Sequence, residues 1–216
     1  MKTPGYWLFL VVLALLAAPY SGAAADKGVR IAVLGDSLAA GYNLPLEKGF
    51  TAQLQKALRQ AGYDVTVLNA SVSGDTTAGG VARLAWTLAD RPQLVMVELG
   101  GNDALRGIDP RQTRENIDLI LTRLKEAGVE VLLAGMRAPR NLGRDYYTRF
   151  DRIYPELAAK HEVPLFPFFL EGVAGKPELN QNDGIHPNAA GIQVIVRSIL
   201  PTVIEALQPI VRPPPK

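Results

Sequence analysis

Five short runs of apolar, largely β-branched residues alternate along this chain with longer segments of helical period, and that alternation restricts the fold more than any other feature. The runs at 30–34, 64–69, 94–99, 129–134 and 163–166 are too short to be helices and read as strands. Between and after them, 46–61, 76–90, 109–127, 147–161 and 187–207 read as helices. In the third of these, Leu119, Ile120 and Leu124 recur among Arg114, Asp118, Arg123 and Lys125, the stripe of a helix lying on a sheet. Strands 31–34 and 94–99 are nearly all apolar, as they must be when helices cover both sheet faces. The pattern predicts an α/β chain with one open, five-stranded parallel sheet in a single domain over 26–210. With 48% apolar residues, disorder as the general state is excluded.

The first 25 residues differ in composition. Lys2 is their only charge, and 6–18 is an unbroken apolar run behind it, the length of a signal-peptide core. Ala23-Ala24-Ala25 supplies the small residues of a cleavage site, so cleavage after Ala25 and a periplasmic or secreted destination are expected. A run of this length falls short of the roughly twenty residues a spanning helix needs, and no stable membrane insertion is expected after cleavage beyond transient lipid contact. At the other end, 211–216 with Pro213-Pro214-Pro215 is expected to be disordered.

A formal charge of +2 is too balanced for a dedicated nucleic-acid binder. The chain has no cysteine, which excludes disulfides, thiolate nucleophiles and Cys-held metals, and its two histidines leave little room for a metal site. No cofactor is expected, and the expected partner of a monomeric chain is a small molecule or lipid.

In an open parallel sheet, ligands bind beyond the carboxyl ends of the strands. The first strand runs into Gly35-Asp36-Ser37-Leu38, the second into Ser73-Gly74-Asp75, and the third into Gly100-Gly101-Asn102-Asp103. A fourth element, Asp183-Gly184-Ile185-His186-Pro187, precedes the last helix, with Pro187 suited to the first helical position. Asp183 and His186, three apart on a Gly-containing loop, can reach one another and so hold the imidazole in one tautomer. The hydroxyl best placed for it to activate is Ser37. Backbone N–H groups of Ser37 and Gly74 and the side-chain amide of Asn102 are candidate oxyanion donors.

These blocks resemble those of the SGNH (GDSL) hydrolases: Gly35-Asp36-Ser37-Leu38 the first, Gly74 the second, Gly100-Gly101-Asn102-Asp103 the third, Asp183-Gly184-Ile185-His186 the last. The resemblance covers 26–210 and is greatest to the branch of acyl-CoA thioesterases, lysophospholipases and arylesterases. It implies a flavodoxin-like three-layer α/β/α sandwich, Ser37 as nucleophile, His186 as base, Asp183 as its orienter, and an oxyanion hole from Ser37, Gly74 and Asn102.

Each residue has a plainer reading on its own: a helix cap for Ser37, a turn glycine for Gly74, a turn or cap residue for Asn102. Asp103 reads equally well as a structural acceptor. His161, beside Lys160 at a helix end, reads as structural. Glu98, inside an apolar strand, needs a partner if buried. Leu105 and Ile108 are the expected acyl contacts, and 75–80 is a candidate mobile loop. Two competing functions are a carbohydrate O-acetyl esterase, which would have a shallow polar pocket, and a non-catalytic binding protein of the same fold, which would not need Ser37, Asn102, Asp183 and His186 together. No G-x-G-x-x-G or Walker loop follows a strand, which argues against a nucleotide binder.

Overall fold

A computed structural model describes residues 28–211. The expected signal segment and the Pro-rich end beyond Val211 lie outside the described residues. Five parallel strands, β1 (Val29–Gly35), β2 (Val65–Asn69), β3 (Leu94–Glu98), β4 (Glu130–Ala134) and β5 (Leu165–Phe166), form one sheet in the order β2-β1-β3-β4-β5. In β1, Ile31 to Leu34 are fully buried, as is all of β3, which is why both read as nearly continuous apolar runs. Each Ile, Leu, Val or Met among them contributes on the order of 1.5–3 kcal/mol when taken from water.

Two helices, α2 (Phe50–Gln60) and α8 (Ala189–Leu207), pack together on one face of the sheet. On the other lie α3 (Thr77–Ala89), α5 (Pro110–Glu126) and α7 (Ile153–His161). The three layers match the expected sandwich. Although α8 is long and apolar enough to cross a membrane, it buries Ile192, Ile195, Val196, Ile199 and Val203 in the core. The free edge of β2 is capped by α2: Gln55 Oε1 accepts from Val67 N at 2.8 Å, and Arg59 Nε donates to Val65 O at 3.0 Å. With its polar groups occupied, that edge is a poor template for pairing with another chain.

Several local expectations are corrected. The segment 147–161 is two helices, α6 (Arg144–Asp151) and α7, because Pro155 has no N–H for the Asp151 carbonyl one turn earlier. In α5 the buried stripe is Ile117, Ile120, Leu121 and Leu124, and Leu119 faces outward at 37% exposure. Pro187 does not open α8; it lies one residue before the cap Asn188, whose side chain accepts from Ala190 N and Gly191 N. Residues 75–80 are not a free loop. Thr76 caps α3, and Gly80 packs so tightly that an added Cβ would lie 2.3 Å from Leu99 Cδ1.

The strand order reverses between β1 and β3, and this is where an open sheet of this order leaves its crevice. Two helices too short to show a period begin there, α1 (Ser37–Ala40) after β1 and α4 (Gly101–Leu105) after β3.

Candidate active site

Ser37 is the first residue of α1. Asp36 caps that helix, with Oδ1 accepting from Leu38 N at 3.0 Å, and Gly41 ends it in the left-handed conformation. The sharp exit from β1 therefore presents Ser37 at the crevice. His186 reaches it from the loop before α8, its Nε2 2.9 Å from Ser37 Oγ. Its Nδ1 lies 2.8 Å from Asp183 Oδ2, while Asp183 Oδ1 accepts from the backbone N–H of Ile185 and His186 at 2.9 and 3.0 Å. These backbone bonds, with the His186 side chain, lower the Asp183 pKa to about 2. A permanently ionised partner fixes Nδ1 as the protonated nitrogen and leaves the Nε2 lone pair directed at the hydroxyl.

The His186 loop is held to the loop after β1. Gln181 takes the His186 carbonyl through its backbone N–H at 2.7 Å, and its side-chain amide donates to Tyr42 O at 2.9 Å and Pro187 O at 3.0 Å. The Tyr42 ring lies against the imidazole, centroids 4.5 Å apart. Sequence inspection missed both residues, since neither belongs to a block.

Asn102 begins beyond Gly100, whose positive φ of 111° and closeness to Tyr154 favour glycine: an added Cβ would lie 2.2 Å from the Tyr154 hydroxyl, which donates to Leu99 O at 2.9 Å. One Nδ2 hydrogen of Asn102 goes to Asp36 Oδ2 at 3.0 Å, leaving the other available. The N–H groups of Ser37 and Gly74 have no acceptor among the described residues. Gly74 lies in a turn with φ of 82°, its carbonyl accepting from Arg106 Nη2 at 2.8 Å.

Arg83 was not foreseen. From α3 its Nη2 donates to Gly35 O at 2.8 Å, its Nη1 to Ala70 O, and its Nε to Asp75 Oδ2 at 2.5 Å. One guanidinium thus joins the backbone just before Asp36-Ser37 to the turn that carries Gly74.

Behind Ser37 lies a buried carboxyl pair. Glu98 is fully buried, with Oε2 accepting from Asp36 N at 3.3 Å and Oε1 the one buried side-chain nitrogen or oxygen without a partner among the described residues. Burial, then the neighbouring Asp36, push it well above the usual carboxyl range. Asp36 is raised to about 6, also chiefly by burial, against the bonds from Leu38 N and Asn102 that lower it. Asp103 is a structural acceptor: it takes Thr77 N at 2.9 Å, Thr77 Oγ1 at 2.5 Å and Thr113 Oγ1 at 3.3 Å. His161 is structural too, buried with Nε2 2.5 Å from Asp118 Oδ1.

Ser37, His186 and Asn102 open into a cleft of about 420 Å³. Its walls are largely apolar, formed by Leu105, Met136, Pro139, Phe168, Leu170 and Ile185. Leu105 is one of these lining residues. Ile108 is not: it does not line the cleft, and its carbonyl instead accepts from the Tyr146 hydroxyl at 2.8 Å. The walls from 136–140 and 168–174 come from stretches that carry no block. Among the described residues no group of three His, Asp or Glu side chains is arranged to hold a metal.

The model of the GDSL-like lipase/acylhydrolase family matches residues 33–194, a span containing all four blocks. The chain belongs to that family. It is 46% identical over 183 residues to the thioesterase 1/protease 1/lysophospholipase L1 of Escherichia coli K12, covering 84% of this chain and 83% of that protein. To the arylesterase of Vibrio mimicus it is 46% identical over 166 residues, 76% of this chain and 83% of that one. The crystal structure of TesA superimposes with a TM-score of 0.79 at 44% identity, covering 82% of this chain and 99% of that chain. Like these relatives, this GDSL hydrolase is an esterase with the SGNH-hydrolase fold.

Proposed function

We propose that this esterase is a serine hydrolase acting through Ser37, His186 and Asp183 on arylesters, acyl-CoA-type thioesters and lysophospholipids. The single observation carrying the reading is the continuous contact from Asp183 Oδ2 through the imidazole to Ser37 Oγ, at 2.8 and 2.9 Å. Ser37 Oγ attacks the acyl carbon as its proton passes to His186 Nε2. The carbonyl oxygen, now an oxyanion, takes hydrogen bonds from Ser37 N–H, Gly74 N–H and the free Nδ2 hydrogen of Asn102, each worth about 3 kcal/mol at the transition state. Collapse breaks the bond to the leaving alcohol or thiol, which takes the proton from His186. Water then repeats the sequence on the acyl-enzyme and restores Ser37.

The apolar cleft supports an acyl chain longer than acetyl, with Leu105 as one contact. The capped edge of β2 supports a monomer. Export to the periplasm or beyond rests on the apolar run at 6–18 and Ala23-Ala24-Ala25.

The test is hydrolysis of p-nitrophenyl esters of graded chain length, with lysophospholipid and acyl-CoA, by the chain beginning at Asp26. Ser37→Ala and His186→Ala are each expected to lose on the order of 10⁶-fold in kcat. Near-normal turnover by either variant contradicts the assignment.

A further inference from the structure

We propose that Arg137 and Arg140 form an anion subsite on the cleft wall, selecting acyl esters and thioesters whose leaving group carries phosphate. The inference rests on the reading of the cleft as an acyl-hydrolase site and adds which substrates it prefers. Two guanidiniums three residues apart line an otherwise apolar cavity that also contains Ser37 and His186. A saturated acyl chain has no use for charge, so the apolar walls suit the chain and the cations suit what leaves it.

Both cations are set in place before any ligand arrives. Arg137 stacks on the Phe168 ring at 4.8 Å and Arg140 on the Tyr147 ring at 4.4 Å, which uses their faces and leaves donor edges. Arg140 is further fixed by Asp151, at 2.8 Å, whose other oxygen accepts from Ala138 N. Arg137 meets Glu171 only at 3.7 Å, with the two side chains 48% and 60% exposed, a pair too wet and long to neutralise it. Each guanidinium has five N–H donors, so one carboxylate does not exhaust either. Among the described residues the only acid lining the cleft is Asp36, whose oxygens are taken by Leu38 N and Asn102 Nδ2. The cleft therefore presents guanidinium N–H donors beyond those its carboxylate partners use, in the forked geometry that suits phosphate oxygens.

The experiment compares kcat/KM within matched pairs: octanoyl-CoA against S-octanoyl-N-acetylcysteamine, and a 1-acyl lysophosphatidate against the corresponding monoacylglycerol. The wild-type protein is expected to favour the phosphorylated member of both pairs by roughly tenfold or more, the worth of one or two charge-assisted hydrogen bonds. In the double variant Arg137→Gln/Arg140→Gln that ratio falls to about one in both pairs, whatever loss the two members share, and added salt lowers the wild-type ratio in the same direction. A wild-type ratio near one, or a ratio the double variant leaves intact, overturns the subsite while leaving the esterase standing. A wild-type protein that turns over no member of either pair overturns the hydrolase reading itself.

Discussion

Asp36 Oδ2 accepts from Asn102 Nδ2 at 3.0 Å, so the residue preceding the proposed nucleophile Ser37 aims the amide proposed to hold the oxyanion. Its other oxygen accepts from Leu38 N, and both contacts are donor to acceptor, an arrangement that suits an ionised carboxylate best. Asp36→Asn must turn its own NH₂ toward one of two donors. It is expected to lower kcat by roughly tenfold or more with little change in KM, while Asn102→Ala lowers kcat by about 10² to 10³. Steady-state kinetics on a p-nitrophenyl ester check both, and a pure KM effect in either would remove Asn102 from the oxyanion role.

Two carboxylates, Asp183 and Asp36, respond to pH in opposite senses. Asp183, lowered to about 2, is ionised across the working range, and the stability it contributes is present above its ordinary value of 3.8 and lost as pH falls through about 2. Asp36 is shifted the other way. With its pKa raised to about 6, the folded state holds that proton more tightly than the unfolded chain, and the advantage disappears as pH rises from 3.8 through about 6. An ionised Asp36 is the form that best orients Asn102, so kcat/KM is expected to rise with pH through about 6, and in Asp36→Asn that part of the rise disappears. A profile that the substitution leaves unchanged would contradict the role given to Asp36.

Gly191→Ala pits two effects against each other. Alanine is favoured over glycine in a helix by about 1 kcal/mol, but the new Cβ would lie 2.2 Å from the Leu179 carbonyl oxygen, a backbone atom that also accepts from Asn188 N. Overpacking of about 1–3 kcal/mol wins, and a melting temperature lower by roughly 2–6 °C is expected. Because α8 must move away from the segment leading to Asp183 and His186, turnover falls as well. A thermal melt and a rate assay at 25 °C measure the two together, and an unchanged or higher melting temperature would show that the contact yields freely.

Arg83→Lys tests the clamp between the Gly35 and Gly74 segments. Lysine keeps the charge but cannot serve Gly35 O, Ala70 O and Asp75 from one planar group. The expectation is a kcat lower by about tenfold with KM nearly constant, because the backbone donors of Ser37 and Gly74 lose their relative placement. Equal losses of soluble protein and activity, with normal kcat per folded molecule, would reduce Arg83 to a stability role.

The layers and the four blocks were legible in the sequence because each depends on short-range signals. Runs such as Ile31 to Leu34 betray doubly covered strands, and glycines beside Ser37 and Asn102 mark where strands end. What remained hidden depends on contacts between distant segments. Arg83 reaches three carbonyl or carboxylate groups on two other segments, Gln181 bonds to Tyr42 across 139 positions, and the cleft walls at Met136 and Phe168 carry no motif. Ile108 was assigned by proximity to Asn102, yet the chain turns it out of the cleft. The break at Arg152 followed from Pro155 and was open to inspection.

Covalent labelling tests the central claim most directly. The protein is treated with an alkyl p-nitrophenyl phosphonate, and the modified peptide is mapped by mass spectrometry. One phosphonyl group per chain on Ser37, absent from His186→Ala over the same interval, is the predicted result. An adduct on any other residue, or an unmodified Ser37 in active enzyme that has lost its activity to the reagent, would contradict it.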